Sequence, residues 1–340
     1  MYLYLLFSHI TFPTPVSAQN PDHSKYSYRK DQYTSWTNPF LQTTLMQDSN
    51  KVFAAIEAGG TKFVVAIGNH NKVTRKATFP TRDPKKTWGE VLDFLTQAYS
   101  DTPFSAISLA SFGPLELNRN SSTYGQIGST PKIEWQGTDM LAPLRQFNVP
   151  LCLETDVNAS ALGEATLGNG ANHNMVAYVT VGTGIGVGIV MEGRILGGNA
   201  HLEIGHIPIP HDPVQDPFPG TCPFHKNCLE GLASGTALYA RWGRQLSELG
   251  LDHPAYELEA KYLGHLCSFL VLGYAPDKII LGGGVMESDY LLDKTRQYCA
   301  NYLNNYPKTL DVEKLIDPPA YRGDSALLGG FVLANQPVIE

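Results

Sequence analysis

Ile56-Glu57-Ala58-Gly59-Gly60-Thr61-Lys62 lies between two short apolar runs, Val52 to Ile56 and Phe63 to Ile67. The pattern returns at Val181-Gly182-Thr183-Gly184-Ile185-Gly186, between Met175 to Val181 and Ile185 to Met191. Each reads as a glycine turn joining two strands. With no Cβ in the way, the amides of such a turn can approach a phosphate closely, and the threonine hydroxyls and Lys62 add donors. Taken singly, each is equally an ordinary hairpin. Neither ends in Gly-Lys-Ser/Thr as a Walker loop does, and neither opens a helix as a dinucleotide fingerprint requires. Two of them, one in each half of the chain, can close on one polyphosphate from both sides. A third cluster, Leu281-Gly282-Gly283-Gly284-Val285-Met286, follows a strand and precedes a helix. It suits close approach of a nucleotide, or simply a strand-to-helix turn.

Outward from the first turn, the spacing predicts a strand over Val73 to Phe79 and a helix over Trp88 to Tyr99. A strand at Ala106 to Ala110, a short helix at Met140 to Phe147, a strand at Leu151 to Glu154 and a helix over Asn158 to Leu167 follow. From the second turn, a third strand begins at Ile195. Long helices are expected over Leu229 to Leu249 and Tyr256 to Tyr274, a strand at Lys278 to Leu281, and helices over Tyr290 to Tyr306 and Ser325 to Ala334. Strand meanders followed by alternating helices and strands, twice over, predict two related α/β lobes, residues 51–165 and 166–340.

Of the 340 residues 43% are hydrophobic and 17% charged, a globular composition with material for a sizeable core. No apolar run reaches the roughly 18 residues that cross a bilayer, so no membrane partner is expected. The net charge is −7 with no basic stripe, which argues against nucleic acid. Residues 1–50 look foreign to the rest. The start lacks the basic residues of a secretory signal, and Ser8, His9, Pro13 and Pro15 interrupt its apolar run. They are expected to be a disordered leader, or the product of a start assigned too early, with Met46 as the true start.

Five cysteines, an odd number without framework spacing, point to a reducing compartment, the cytoplasm. Cys222-Pro223-Phe224-His225-Lys226-Asn227-Cys228 places three metal-type ligands within seven residues. His206 can close a tetrahedron with Cys222, His225 and Cys228, and His211 competes for that fourth place. A Cys2His2 set is a structural zinc site, here knitting a Pro-rich loop within 206–228 that has little apolar material to order itself. Asp156, in Glu154-Thr155-Asp156-Val157-Asn158, is either a helix cap or a general base at a lobe edge. Glu203 and Glu230, beside the ligand residues, are either solvated charges or acceptors for sugar hydroxyls.

Together these segments resemble the ROK family of sugar kinases, in the actin-like ATPase superfamily, over about residues 51–335. Thr155 in its motif, Tyr124-Gly125, Ser129-Thr130-Pro131-Lys132 with Trp135, and the Cys-Pro-Phe-His zinc loop resemble the fructokinase branch. The resemblance implies two actin-like (ribonuclease H-like) lobes with nucleotide and sugar in the cleft between them. It implies phosphoryl transfer from ATP to the 6-hydroxyl of D-fructose, with Asp156 as base. Gly59, Gly60, Thr61, Lys62, Gly182, Thr183 and Gly184 would hold the phosphates, and Gly282, Gly283 and Gly284 the adenosine. Glu203, His206 and Glu230 would face the sugar, His206 also ligating zinc. Mg2+ would bridge the β- and γ-phosphates with Glu57 nearby, and the protein would be a homodimer. The chain departs from the pattern in Glu57 for the commoner Asp, in Ile133-Glu134 for Pro-Gly, and in its leader. A kinase for another hexose or a heptulose is the alternative; a sugar-sensing repressor would need an N-terminal helix-turn-helix that the first fifty residues do not resemble.

Overall fold

The computed structural model describes residues 51–336 apart from 131, 198, 199 and 309, so the expected leader at 1–50 lies outside the described residues. Two five-stranded sheets carry the fold. In the first, β1 (Phe53–Ala58) pairs antiparallel with β2 (Lys62–Asn69), and β2 with β3 (Lys72–Pro80). On its other side β1 runs parallel to β4 (Ile107–Ser111), and β4 to β5 (Leu151–Thr155). The second repeats this with β6 (Met175–Val181), β7 (Ile185–Met191), β8 (Arg194–Ile195), β9 (Lys278–Gly282) and β10 (Ile316–Asp317). Strand orders β3-β2-β1-β4-β5 and β8-β7-β6-β9-β10 are the same order read twice.

The strands follow from their residues. Central β1 is apolar on both faces and buried almost throughout, as a strand covered on both sides requires. Edge strand β3 reads Lys-Val-Thr-Arg-Lys and is largely exposed, with charges that discourage pairing by another chain. Both glycine turns span three residues, 59–61 and 182–184, and both connect a sheet's central strand to its neighbour.

Helix α1 (Pro84–Asp101) starts on Asp83, whose carboxylate accepts from the Lys86 amide, and lays Trp88, Val91, Leu95 and Ala98 on the first sheet. Helix α2 (Asp156–Leu167) leaves β5. The expected single helix over Leu229 to Leu249 is instead three pieces: α3 (Leu229–Ala233), α4 (Gly235–Trp242) and a 3-10 turn at Leu246–Glu248. Ser234 caps α4 by accepting from the Ala237 amide, and Gly243 ends it at φ 72°. Helices α5 (Pro254–Tyr274), α6 (Asp289–Leu303) and the short α7 (Val312–Leu315) complete the second lobe's outer layer.

Helix α8 (Ser325–Asn335) departs from the expected division at 166–340. It leaves the second lobe but packs on β1, β2 and β4 of the first, while α2 leaves the first and packs on β6 and β7. The two helices cross where their backbones touch: a Cβ on Gly163 would fall 2.9 Å from the Gly329 amide nitrogen. Lying between two sheets, both are buried along nearly their whole length, which is why neither reads as amphipathic.

Candidate active site

A cleft of about 640 Å³ opens between the lobes. The end of β1 supplies Glu57, and Lys62 follows the first turn. The start of α2 supplies Asp156 and Ser160, the end of β9 supplies Gly282, Gly283 and Gly284, and the approach to α8 supplies Pro319, Arg322 and Ser325. The remaining turn residues, Gly59, Gly60, Thr61, Gly182, Thr183 and Gly184, and also Glu203, His206 and Glu230, stand outside the wall of this cavity.

Asp156 is the first residue of α2, and the cap is Thr155, whose hydroxyl accepts from the Asn158 amide at 3.2 Å. Of the two sequence readings of Asp156, the cap therefore falls away. One Asp156 oxygen accepts from the Val157 amide at 2.8 Å. Burial pushes its carboxyl up to about 6, against the pull of that hydrogen bond. Burial also drives Glu57 to about 7, with the negative charge of Asp156 adding to the rise and Lys62 opposing it. A buried Glu57 whose charge Asp156 disfavours, beside Lys62, is the type of donor set that suits a hard cation and phosphate oxygens.

At the first turn the Gly59 amide donates to the Lys62 carbonyl at 3.0 Å, and Thr81 donates its amide to the Thr61 carbonyl and its hydroxyl to the Gly59 carbonyl. The Gly60 and Thr61 amides have no partner among the described residues. At the second turn the Gly182 carbonyl accepts from the Gly235 amide at 2.7 Å, and the Thr183 carbonyl from the Thr236 hydroxyl at 2.7 Å. The N-terminus of α4 is thus tied to that turn. Gly283 sits at φ 92°, and a Cβ there would fall 2.4 Å from the Val181 carbonyl oxygen, so only glycine fits.

The ligand cluster forms as its spacing predicts. One ligand atom from each of His206, Cys222, His225 and Cys228 lies within 4.8 Å of all the others. The Cys222 sulfur is 3.6 Å from His206 Nδ1 and 3.7 Å from His225 Nδ1, and the Cys228 sulfur is 3.5 Å from His206 Nδ1. Zinc–sulfur bonds of about 2.3 Å and zinc–nitrogen bonds of about 2.0–2.1 Å in a tetrahedron set sulfur and nitrogen about 3.5–3.6 Å apart. The donor set and its spacing therefore fit a tetrahedral ion. His211 stands apart, its Nε2 on the Asp216 carbonyl at 2.9 Å and its Nδ1 facing Asn227 at 3.2 Å.

Glu230 links this cluster to the second turn: one oxygen accepts from the Ile185 amide at 2.9 Å, and the other stands 3.9 Å from His206 Nε2. Glu203 is exposed and bonds His201 Nε2 at 2.8 Å.

His201 was not singled out by the sequence reading, yet its charge is felt by both Glu154 and Asp156. The hydrogen bond that its ring donates to the Glu203 carboxylate raises its pKa. Only its place two residues before Glu203 hinted at it. Glu164 was missed as well. Fully buried on α2, it accepts from the amides of Asn169, Ala320 and Tyr321 and from the Ser325 hydroxyl, fixing the segment that forms one wall of the cleft.

A twice-repeated lobe and a cleft between the copies, walled in part by Gly282, Gly283 and Gly284, agree with comparison to known proteins. The ROK family's sequence profile matches residues 53–337. The chain belongs to the ROK family. Among its ROK relatives, the fructokinase of Zymomonas mobilis is 40% identical over 297 residues, 85% of this chain and 98% of that protein. The fructokinase of Streptococcus mutans is 38% identical over 293 residues, 84% of this chain and 98% of that protein. The crystal structure of a ROK hexokinase from Thermus thermophilus superposes with a TM-score of 0.67 at 26% identity, covering 83% of this chain and 97% of that one. The two-lobed actin-like architecture expected from the sequence is the one observed. No helix among the described residues is long and apolar enough to cross a membrane.

Proposed function

We propose that this protein is an ATP-dependent fructokinase that phosphorylates the 6-hydroxyl of D-fructose. The observation that carries the reading is the match, over nearly their whole length, to relatives named fructokinases. The residues expected from the sequence would do the work, Asp156, Lys62 and Gly282 to Gly284 from the cleft wall and the others from beside it. Asp156 accepts the proton of the 6-hydroxyl as that oxygen attacks the γ-phosphorus. A new oxygen–phosphorus bond forms, the bond to the β,γ-bridging oxygen breaks, and the electron pair leaves on the β-phosphate of ADP. The 59–62 and 182–184 turns receive the phosphates, and Gly282, Gly283 and Gly284 lie by the adenosine. A glucokinase of the same fold from Streptomyces griseus was crystallised with glucose and AMPPNP, which supports placing ATP here. Bound Mg2+ supplies positive charge to the β- and γ-phosphate oxygens, with Glu57 the side chain that would hold it. Glu203, His206 and Glu230 face the sugar. Zinc on His206, Cys222, His225 and Cys228 supplies structure rather than bond making, and orients His206 through the nitrogen that the sugar does not use.

The reading extends to a homodimer in the cytoplasm. Five unpaired cysteines support a reducing compartment. The outward face of α5 and α6, where His265 stacks on Tyr302 beside exposed Phe269 and Leu272, supports self-association. A coupled ADP-release assay with fructose, mannose, glucose and sedoheptulose tests the activity. Fructose is expected to give the highest kcat/KM, and Asp156→Asn to lose about 10²–10⁴-fold in kcat. Because Asp156 works deprotonated and burial raises it to about 6, activity should fall as pH drops through that value. Preference for another sugar would overturn the substrate, and no ADP release with any sugar would overturn the kinase.

A further inference from the structure

We propose that Lys132 is a phosphoryl-binding residue of the first glycine turn, contacting the γ-phosphoryl group as it passes from nucleotide to sugar. The inference rests on the kinase reading above and adds a contact to it.

The side chain of Lys132 lies directly over the turn: a Cβ on Gly60 would stand 3.4 Å from its Cε. Its ammonium is one bond further on, and the amides of Gly60 and Thr61 in the turn beneath have no partner among the described residues. The carbonyls that would otherwise compete for that charge are taken, Gly59 and Thr61 by Thr81 and Lys62 by the Gly59 amide. Of the turn's carbonyls only that of Gly60 is left, against two open amides.

The backbone of Lys132 is fixed from both directions. Its amide donates to the Thr130 hydroxyl at 3.4 Å, and its carbonyl accepts from the Trp135 amide at 2.9 Å. Trp135 is 2% exposed, and its indole N–H donates to the Arg82 carbonyl at 2.7 Å. Its ring lies 5.3 Å from that of Phe63, the residue after Lys62. One aromatic contact therefore sets the spacing between the loop carrying Lys132 and the turn beneath it.

Charge points the same way. The basic neighbours along this rim are matched, Arg82 with Glu90 at 2.7 Å and Lys86 with Asp83 at 3.0 Å. Lys132 forms no ion pair among the described residues. A half-buried lysine without an ion pair, its Cε over a turn with two open amides, fits an anion bearing several oxygens. In a phosphoryl transfer it offsets charge on the equatorial oxygens of the moving group, and it neither gives nor takes a proton.

The test compares wild type, Lys132→Met and Lys132→Arg, each with fructose and Mg2+ present. Calorimetric titration with AMPPNP and with ADP reads whether the lysine senses the third phosphate. For Lys132→Met, kcat should fall about 100-fold, AMPPNP affinity about tenfold and ADP affinity by less than about twofold, with Lys132→Arg recovering most of each loss. A kcat within about threefold of wild type, or equal weakening of AMPPNP and ADP, would overturn the proposal. If the wild-type protein binds AMPPNP but phosphorylates no sugar, the kinase reading fails by itself, and the nucleotide comparison still decides whether Lys132 binds the γ-phosphate.

Discussion

The two lobes share one strand order but order their long connections by different means. In the first lobe, the 112–150 connection between β4 and β5 carries Leu115, Ile127, Trp135, Met140, Leu141 and Leu144, all buried. Phe112, Phe63 and Trp135 meet ring to ring beneath it. In the second lobe, the stretch from 196 to 228 is rich in proline and polar residues and gathers around the four metal-type ligands. Besides Ile204, 5% exposed, its deep anchor among the described residues is polar. Asp216, 4% exposed, accepts from Arg241 at 2.9 Å and from the Tyr262 hydroxyl at 2.6 Å. One connection is ordered by burial of apolar surface; the other, if the four side chains hold zinc as proposed, is ordered mainly by ligands and charges. The first is limited by packing and the second by occupancy, so the two ought to fail under different treatments.

The largest effect should come from the ligands. Cys228→Ser, or chelation of the wild type, should abolish amide-exchange protection across 207–228 while leaving 112–150 protected. Activity should drop by roughly 10²-fold, since His206 and the Glu230-held turn lose their positions. Protection that survives chelation would mean that the second connection orders itself, and the contrast would be gone. Trp135→Ala should do the converse. A stability loss of about 3–5 kcal/mol in urea unfolding is expected, with protection lost at 128–147 and retained at 207–228. If both connections loosen together, the lobes are not independently ordered. Smaller still is Tyr262→Phe, which keeps the ring and removes one hydrogen bond to a buried carboxylate. A loss of about 1.5–3 kcal/mol is expected, again by urea unfolding, with the effect growing in chelated protein. No loss in either state would leave the metal as the sole organiser of that connection.

The sequence made the repeat legible because apolar alternation and glycine turns are local signals. Met175 to Val181 and Ile185 to Met191 are strands residue for residue as read. The helix over Leu229 to Leu249 was misread because Ser234-Gly235 and Gly243 are faint punctuation. What breaks the helix is partly tertiary, the Gly235 amide being committed to Gly182 in another element. The clustering of Cys222, His225 and Cys228 was legible from spacing, and that His206 rather than His211 joins them shows only in the structure, where Asp216 and Asn227 occupy the latter. His201 and Glu164 have no assigned role in the sequence because each acts on residues far along the chain, and a lone His or Glu carries no local pattern; Lys132 stands in a recognisable motif, but its place over the turn at Gly60 is tertiary. The direction in which α8 packs was likewise hidden, because a helix buried on all sides shows no face.

That direction has a consequence for how the protein is made. Phe53, Ala55, Val64 and Ala66 of the first sheet share a core with Leu327, Phe331 and Ala334 of α8. Translation delivers those strands long before their cover. Until the ribosome releases residues 325–335, one whole face of the earliest-made lobe is left open, a surface for chaperones to guard. The final helix is the latch that ends this exposure.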